Sequence, residues 1–595
     1  MILKALYDYY QKLKDLGEVA PAGAQKKAIQ FIIVIDSEGR LKTVEDTRDS
    51  DGKGKVFFVS TGSRTSKIVP NLFWDNKEYV LGLEGKVKVS GKGKDKQKIQ
   101  DEHTAFIRKC QEIAAQNPDE PGFQAVCRFY EQHGEDAICS NEDIKKQILE
   151  DSNGNIAFQL QGGETIIGDN PKLFEYAFTG KDTSENTGIC LVTGRSTHPV
   201  ITTTATKISG SQATAKLVAF QVDSGYDSYG REKGENAPIS KEAEHAYSTA
   251  LNHLLADDSR NKFTVGSRTF VFWASSSSQA GKEAESALFS MLGMQHDDKS
   301  DQNSNVDSVR EAFKAIYSGK TLSMDDDRFF ILGLAPNAAR IAVVYWNETT
   351  VKEFARTILR HFDDMEIGNP GPKPYYGLYQ MLRAVTLKGK VQDVQPNLVE
   401  ATVKSIFQGT PYPYSLYASC LERIRAEQSV WQVRAAILKA YLTRLSRGNY
   451  KVSTMLDKTN TNQGYLCGRL LATIEKIQLE VQNNESNVLE RYLNAASSTP
   501  VAVFATLLNL SVHHEGNLKK ERKIFFTRLK QEIISKISAD GFPAHLSLQD
   551  QGMFMIGYYQ QRQDFFTPKS SGDDKQSEEQ PAESGTNWEI NFDRT

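Results

Sequence analysis

The stretch SGYDSYGREKGENAPISKEAEHAYSTALNHLL, residues 224–255, sets a polar loop rich in glycine and tyrosine directly before an amphipathic helix. Pro238 and Ser240 mark the helix start, because proline stops an earlier element and a serine hydroxyl can cap the first free N–H groups. Apolar residues then recur at helical spacing: Ala243, Ala246, Tyr247, Ala250, Leu251, Leu254 and Leu255. The sequence therefore predicts a rigid helix that presents a polar loop, either an ordinary surface loop or a binding element.

The bulk composition is that of a globular protein. The chain has 595 residues, of which 39% are hydrophobic and 25% charged, and this length predicts about two to four domains. No apolar run approaches the roughly 20 residues that a membrane span needs, and the first residues lack the apolar core of a signal peptide. The six cysteines are widely spaced without a CxxC pair. This usage predicts a reducing, cytoplasmic environment and argues against a zinc ribbon or a disulfide scaffold.

The formal net charge of −3 hides an uneven distribution. Residues 401–567 carry 20 Lys and Arg against 13 Asp and Glu, whereas residues 568–595 carry 3 against 7. Residues 84–98 hold six lysines and two acids. Local basic patches in a nearly neutral chain are typical of selective nucleic-acid binding, although such runs are also common on solvated surfaces.

The pattern predicts an α+β fold. A hairpin is expected from FIIVI (Phe31–Ile35) and LKTV, and a second from RFFILGL and IAVVYW, followed by a helix from Val351 to about His361. Other predicted strands are KVFFVS, YVLGL, IAFQL, CLVTG, KLVAF and RTFVFWA. We expect Ser275–Val306 to be a surface insertion and GNPGPKPYYG to be a hinge.

Three regions follow from these patterns. Residues 1–370 form a mixed α/β N-terminal region with antiparallel hairpins, residues 371–567 an all-α helical bundle, and residues 568–595 a disordered acidic tail. One helix of the bundle is expected to bury Phe525, Leu529, Ile533 and Ile537.

The sequence lacks the usual enzyme motifs: GxxxxGK[ST], a strand-to-helix GxGxxG, HExxH and GxSxG. His513 and His514 are adjacent, so on a helix both cannot easily bind one metal. Asp325–Asp327 allow a magnesium site, although a solvated turn is the favoured interpretation, and His198 has no identifiable catalytic partner. We therefore expect binding without catalysis, with no cofactor and no bound metal.

Three sets of residues suit DNA. A lysine-rich flexible loop is expected to meet phosphates in a salt-dependent way, through Lys86, Lys88, Lys92, Lys94, Lys96 and Lys98. Small polar residues in GSQATAK (Gly210–Lys216) permit close approach to a groove, where Gln212 can read a base edge. Lys519, Lys523 and Lys530 are predicted to share the exposed face of a helix, opposite its apolar stripe.

Segments along the whole chain resemble one family. They are MILKALYDYY, FIIVIDSEGRL, PNLFWDNKEYVLG, CLVTG, SYGREKGENAPIS with AYSTALNHLL, VFWA, MLGM, FFILGLAPNAARIAVVYW, PYPYSLYASCLERIRAEQ, GYLCGRLLATIEKIQ and AASSTP. In this order they are similar to the large subunit of the type I-C CRISPR surveillance complex, Cascade, the Csd-type CRISPR-associated protein. The resemblance covers nearly the full length.

The resemblance implies a non-catalytic subunit of a guide-RNA (crRNA) ribonucleoprotein. Such a subunit sits beside the backbone subunits and the subunit that binds the 5′ end of the RNA. It reads a TTC-type protospacer-adjacent motif (PAM) in duplex DNA, helps to open the target into an R-loop and offers a docking surface to a helicase–nuclease. A separate small subunit can arise by internal translation, for which Met455 or Met381 are possible starts.

For this chain, the resemblance and the residues together predict a DNA and PAM surface. Its expected members are Ser211, Gln212, Thr214, Lys216, Lys233 and Asn236. The family segment reads GxQSSGA where this chain has GSQATAK, so Lys216 can supply charge where the family has close backbone approach. Lys519, Lys523 and Lys530 are expected to follow the displaced, non-target strand. Two alternatives stay open: a metal-dependent nuclease that uses Asp325–Asp327, and a purely structural scaffold of the ribonucleoprotein.

Overall fold

The computed structural model describes residues 1–60, 68–83, 96–150, 154–179, 183–222, 225, 228–292, 304–322, 326–368, 377–445, 450, 452–482 and 487–566. The chain forms two compact units, Met1–Leu359 with Val391–Gly409, and Arg360–Lys390 with Thr410–Thr595. The α+β class predicted from the sequence is confirmed. The region borders predicted after residues 370 and 567, and the predicted tail of residues 568–595, lie outside the described residues.

The helices and strands are numbered in chain order. The helices are α1 Ile2–Asp15, α2 Lys77–Leu81, α3 Lys96–Gln116, α4 Pro121–Glu131, α5 Gly134–Cys139, α6 Glu142–Glu150, α7 Pro171–Phe178, α8 Lys241–Leu254, α9 Gln279–Leu292, α10 Ser304–Tyr317, α11 Val351–Met365, α12 Leu378–Val385, α13 Pro396–Gln408, α14 Tyr414–Glu427, α15 Gln432–Leu445, α16 Gln463–Val481, α17 Val488–Ser498, α18 Pro500–Glu515, α19 Lys520–Ile534 and α20 Leu548–Asp564. The strands are β1 Ala24–Ile29, β2 Phe31–Ile35, β3 Leu41–Asp46, β4 Lys55–Ser60, β5 Trp74–Asn76, β6 Asn155–Leu160, β7 Gly188–Ile189, β8 Ser196–Thr197, β9 Lys262–Val265, β10 Arg268–Ala274, β11 Arg328–Asn337 and β12 Arg340–Thr350.

The first sheet of the first unit has the strand order β3-β2-β6-β5. Its central strand β2 is buried along its whole length because both faces of the sheet are covered. Phe31, Ile33 and Ile35 enter a core shared with residues of α3 and α4, whereas Ile32 and Val34 enter a second core with Phe57 and Trp74. The hairpin of β2 and β3 predicted from the sequence is confirmed.

The second sheet is antiparallel throughout, with the order β12-β11-β10-β9. The predicted hairpin of β11 and β12 is confirmed, as is the helix α11 that follows it. Val271 and Trp273 of β10 pack in one core with residues of α1 and α8, among them Tyr9 and Tyr247. The helix α8 begins as the sequence predicts, since the Ser240 side chain accepts a hydrogen bond from the Ala243 N–H at 3.2 Å. This core fixes α8 and, through it, the loops on both sides of it.

Four predictions about local structure are wrong. YVLGL is not a strand: Asn76 caps the backbone N–H groups of Glu78 and Tyr79, and this starts α2. CLVTG forms a turn, closed by a hydrogen bond from the Gly194 N–H to the Cys190 carbonyl oxygen at 2.9 Å.

KLVAF makes only an isolated bridge, in which Lys216 pairs with Arg340. Ser275–Val306 is not simply a polar insertion, because it contains α9, which buries Ala284, Leu288 and Met291 against the core. The alanines of α9 recur at helical spacing, but the many polar residues between them hid this period in the sequence.

In the second unit, α16 and α20 approach each other at backbone distance. A Cβ atom added at Gly468 would lie 1.9 Å from the Phe554 carbonyl oxygen, and one added at Gly557 would lie 2.3 Å from the Tyr465 carbonyl oxygen. Both helices are buried nearly all round, and α17, α18 and α19 pack against α16. Among the described residues, no helix combines the length and apolar character needed to cross a bilayer.

Candidate nucleic-acid interface

The short segment Val200–Thr206 holds the loop that precedes α8. The Val200 N–H donates to the Ile239 carbonyl oxygen at 3.0 Å, and the Gly234 N–H donates to the Ile201 carbonyl oxygen at 3.1 Å. These backbone bonds fix the loop at both its middle and its end. The loop that carries Lys233 and Asn236 is therefore built into the fold.

The same segment also holds the GSQATAK loop. The Thr206 N–H donates to the Ala215 carbonyl oxygen at 2.7 Å, and the Thr203 hydroxyl donates to the Val218 carbonyl oxygen at 2.6 Å. Successive Cα atoms of an extended chain advance at most about 3.6 Å, so the segment spans at most about 20 Å. The structure thus anchors on one short segment, within that span, the two loops that sequence reasoning assigned to DNA. Residues 183–222 and 228–240 are called the loop cluster below.

Within the GSQATAK loop, the side chains differ in what they are free to contact. The Ser211 hydroxyl donates to the Ile208 carbonyl oxygen at 2.9 Å and accepts from the Ile208 N–H at 3.1 Å. Ser211 therefore closes the turn. Gln212 and Thr214 are exposed, so their polar groups face solvent on a turn whose backbone is fixed.

Lys216 lies at the far end of this loop, against the turn between β11 and β12. Its N–H donates to the Ala339 carbonyl oxygen at 3.3 Å, and its carbonyl oxygen accepts from the Ile341 N–H at 3.0 Å. The side chain of Lys216 is half-buried. The sheet and Val200–Thr206 therefore hold the loop from two sides.

A groove of about 570 Å³ opens beside the GSQATAK loop. It is lined by Lys207, Ser211, Asn252, Lys262, Thr264 and Thr269, among others. Lys262 is already engaged: its amino group donates to the carbonyl oxygens of Leu255 and Ala256 at 3.0 and 2.8 Å, at the C-terminal end of α8. The groove is polar and open, which suits a solvated partner better than an apolar ligand.

The loop before α8 exposes a different set of side chains. Tyr229 is fully exposed, at 101% of its reference area, with a backbone φ of 59°. Lys233 is exposed and also has a positive φ, of 44°. Asn236 instead donates to the carbonyl oxygens of Arg231 and Lys233 at 3.3 and 3.2 Å, so it stabilises the turn. Sequence reasoning missed Tyr229, although an aromatic residue beside glycine in a charged loop is a signal for it.

Close packing and an acidic side chain hold this loop in place. A Cβ atom at Gly234 would lie 1.8 Å from the Val200 carbonyl oxygen, so only glycine fits there. Glu235 binds the Ser184 hydroxyl and accepts from the Asn186 side-chain amide at 2.9 Å. Hydrogen bonds, first that from Ser184, hold the pKa of Glu235 below its usual value, which keeps the carboxylate charged.

Cys190 lies under the loop cluster at the start of α8. Its sulfur accepts from the Ser240 N–H at 3.3 Å, and the side chain is 1% exposed. Burial by itself raises the pKa of this thiol, but hydrogen bonds from Ser240 and Thr193 outweigh it and lower the pKa to about 7. The bond to Ser240 joins the Cys190 turn to the helix cap.

The predicted phosphate-binding lysines divide between two environments. Lys86, Lys88, Lys92 and Lys94 lie outside the described residues. Lys96 and Lys98 are exposed in the first turn of α3, so their assignment to a flexible loop is wrong. The helix that buries Ile99 and His103 begins at Lys96 and places Lys96 and Lys98 on its solvent side.

Of the three lysines predicted to lie on the exposed face of one helix, two are exposed and one is buried. Lys519, the N-cap of α19, and Lys523 are exposed. Lys530 lies in the buried stripe of α19, where its amino group pairs with the Glu515 carboxylate and donates to the Ser511 hydroxyl at 3.0 Å. A lysine held in this way cannot contact a DNA strand.

Two of the three acids considered for metal-dependent catalysis are described, and they lie in different environments. Asp325 lies outside the described residues, Asp326 is exposed, and Asp327 is buried and binds the Ser276 hydroxyl. The solvated turn expected for these acids is therefore wrong for Asp327. Across the described ranges, no group of three or more His, Cys, Asp or Glu could hold a metal ion. His198 and His513 are exposed and His514 is half-buried.

Comparison with known proteins links this geometry to a family. The family model described as CRISPR-associated protein (Cas_Csd1) matches residues 6–566. The matched region contains both sheets, the loop cluster and the helices to the end of α20. No curated protein matches the chain.

Proposed function

The chain belongs to the Cas_Csd1 family of CRISPR-associated proteins, and from that premise we propose that it is the non-catalytic large subunit of a type I-C Cascade. In this role it recognises the PAM in duplex DNA. The observation that carries the proposal is the segment Val200–Thr206, to which both candidate loops are hydrogen-bonded. Two fixed polar loops anchored within about 20 Å can contact one stretch of duplex, since about 20 Å corresponds to roughly six base pairs at about 3.4 Å each, enough to include a motif of three base pairs.

The contacts of the loop cluster separate reading residues from positioning residues. Gln212 and Thr214 are exposed on a fixed turn and are assigned to base edges. Lys216 and Lys233 are assigned to phosphates. Ser211 and Asn236, whose side chains bond to backbone within their own loops, are positioning residues.

Tyr229 extends the proposed surface toward strand opening. Its ring is fully exposed beside Arg231, also exposed, on a loop that Glu235 holds. An exposed aromatic ring can stack on an unpaired base, at about 1–3 kcal/mol per base. We assign Tyr229 to the point where the duplex is opened into the R-loop.

Exposed lysines elsewhere supply contacts that do not depend on base sequence. Lys96 and Lys98 of α3 are assigned to phosphates, and Lys519 and Lys523 of α19 to the displaced strand. Each such contact adds to affinity and to its salt dependence without changing sequence preference.

The proposal includes partners of the subunit. They are a crRNA ribonucleoprotein, its backbone and 5′-end-binding subunits, duplex target DNA and a helicase–nuclease that docks on the assembled complex.

A small subunit made by internal translation fits Met455 better than Met381 as its first residue. Met455 is 42% exposed in the loop before α16, whereas Met381 is fully buried within α12. A product that starts at Met455 retains α16 to α20 intact. Replacing the Met455 codon should abolish a short C-terminal product, as seen by mass spectrometry; its persistence would refute this start.

The test uses the assembled complex and DNA targets that differ only in the PAM. Replacement Gln212→Ala should lower the ratio of matched to mismatched affinity by roughly 5- to 150-fold, as expected for loss of 1–3 kcal/mol of base discrimination. Replacement Lys216→Ala should weaken all targets alike and reduce the salt slope by about 1. Gln116→Ala, at an exposed glutamine near the end of α3, is the matched control and should change neither quantity.

The outcomes separate the proposal from its alternatives. If Gln212→Ala and Thr214→Ala both leave PAM discrimination intact in a normally assembled complex, the protein acts as a scaffold and the site assignment is wrong. If the purified chain cuts DNA and Asp326→Asn with Asp327→Asn abolishes cutting, it is a nuclease.

A further inference from the structure

Helix α18 presents an apolar surface to solvent. Between Pro500 and His514 it contains no Asp, Glu, Lys or Arg. Val501 is 54% exposed and Val512 is 61% exposed, and Ala505 is also exposed. Helices at a protein surface normally carry charged residues on the solvent side, so this face indicates a docking surface.

Four apolar residues of α18, three exposed and one (Leu508) half-buried, form a stripe beside the packed face of the helix. Val501, Ala505, Leu508 and Val512 follow one another at i, i+4, i+7 and i+11 and so lie along one side of the helix. The other side, with Phe504 and Leu507, packs into the second unit. The stripe is about as long as the helix itself, roughly 24 Å for its 16 residues.

Basic residues lie on α19, the helix that follows α18 along the chain. The buried pair of Lys530 and Glu515 joins α18 to α19. The solvent-facing cations of α19 and its N-cap are Lys519, Lys520, Lys523 and Arg528. The consecutive helices α18 and α19, called the α18–α19 surface below, therefore combine an apolar stripe on one helix with exposed cations on the next, which suits an acidic segment that carries large apolar side chains.

The last described residues lie beside α19 and α16. The Phe565 ring contacts Phe526 of α19, with ring centroids 6.1 Å apart, and Lys476 lies 5.2 Å from the Phe566 ring centroid. Residues 568–595 follow, with seven acidic and three basic side chains. Near their end the sequence NWEINF, residues 587–592, places Trp588, Ile590 and Phe592 at alternate positions.

We propose that residues 587–592 dock on the apolar stripe of α18, with the neighbouring acidic side chains facing the lysines of α19. In an extended segment, alternate side chains point to one side, so Trp588, Ile590 and Phe592 can enter the stripe together. There are 21 residues between Phe566 and Trp588, and a flexible linker of that number has a root-mean-square reach of about 25 Å. Tethering at this distance gives a millimolar effective concentration, so weak contacts are sufficient.

The experiment follows Trp588 in the full-length chain. Its own emission is the difference between the spectra of the chain and of a Trp588→Phe variant. We expect a blue-shifted difference spectrum that is protected from a soluble quencher. Val512→Glu should move this spectrum to that of a solvated indole, because the new carboxylate would lie in the stripe and repel the acidic segment. Since Val512 is exposed, circular dichroism and the melting temperature should be unchanged.

The matched control is Leu387→Glu, which places the same charge at another exposed apolar residue, 67% exposed. It should leave the Trp588 spectrum blue-shifted. A solvated Trp588 spectrum in the unmodified chain, or a blue shift that Val512→Glu and Val501→Glu leave in place, would overturn the proposal. A blue shift that is lost on dilution would also overturn it, because the segment would then bind a second copy of the chain.

Discussion

The loop cluster and the α18–α19 surface are held by different interactions. In the loop cluster, backbone hydrogen bonds from Val200–Thr206 fix two loops that have little regular structure. In the α18–α19 pair, a regular helix is fixed by the Lys530–Glu515 ion pair and by Phe526. The first arrangement leaves polar side chains such as Gln212 exposed to a partner. The second buries Lys530, one of the three lysines that the sequence predicts to contact the displaced DNA strand.

This difference assigns different tasks to the two regions. A fixed loop can hold a few polar groups against base edges, which requires definite positions. A helix with exposed lysines provides charge along a line, which suits a flexible phosphate chain. Base reading is therefore proposed for the loop cluster and contact with the displaced strand for α19.

The largest expected effect concerns Lys530. Lys530→Ala leaves the buried Glu515 carboxylate without its cation, so the free energy of unfolding of the second unit should fall by about 3–5 kcal/mol. Lys523→Ala, on the exposed side of the same helix, should change it by less than about 0.5 kcal/mol. Urea denaturation followed by circular dichroism measures both.

The control is the double replacement Lys530→Met with Glu515→Leu. It removes both charges and fills the space with apolar side chains, so most of the stability should return. Equal losses for Lys530→Ala and Lys523→Ala would show that Lys530 is solvated in solution, and the lysine would again be a candidate for DNA contact.

The next largest expected effect is the loss of stability when a glycine at a close backbone contact is replaced. A Cβ atom at Gly234 in the loop cluster and one at Gly468 in α16 would lie 1.8 and 1.9 Å from carbonyl oxygens. Gly234→Ala should displace the loop from Val200 and cost about 1–3 kcal/mol locally, the range for a lost buried hydrogen bond. Gly468→Ala should separate α16 from α20 and lower the stability of the whole second unit by a similar amount.

Hydrogen exchange by mass spectrometry separates these two outcomes. For Gly234→Ala, faster exchange should be confined to peptides of the loop cluster, and for Gly468→Ala it should extend over the helices that pack on α16. Gly230→Ala is the control for the loop, since no atom lies within 4 Å of its added Cβ and only its φ of 71° is unfavourable. Spread of the Gly234→Ala effect into β9 to β12 would contradict a locally held loop.

The elements that the sequence predicted well are those with a strong period. Strand β2, the hairpin of β11 and β12, and α8 with its Ser240 cap carry local signals that tertiary packing reinforces. The strand prediction for YVLGL is wrong because Asn76 and Gly82 cap α2, and these caps outweigh the strand-like composition of the segment. In each of these elements, residues within the element or at its ends determine whether a helix or a strand forms.

The arrangement of the site could be predicted less well. The pairing of Val200–Thr206 with two loops uses backbone groups, which every residue possesses, so no side-chain pattern marks it. Lys530 is buried because it pairs with Glu515, fifteen residues earlier in the chain. The sequence predicted that α19 buries Phe525, Leu529 and Ile533. The buried residues are instead Phe526, Lys530 and Ile533. A one-residue rotation of a helix therefore moved a lysine from the predicted surface to the core.

The smallest expected effect is the pH dependence of the loop cluster through Cys190. The folded-state pKa of this thiol is about 7, below the value of about 8.5 for an unfolded cysteine. Between these values the unfolded chain binds more protons, so stability should rise with pH from about 7 to 8.5 and be lost as the pH falls through 7. After allowance for solvent screening, the rise should be about 1 kcal/mol.

Cys190→Ser should abolish this rise in stability with pH, as followed by urea midpoints of the first unit. Cys127→Ser is the control, because burial raises the pKa of Cys127 to about 11 and it stays protonated throughout. A rise that survives Cys190→Ser would mean that another group titrates, and the bond from the Ser240 N–H to a thiolate would then not be what holds the loop cluster to α8.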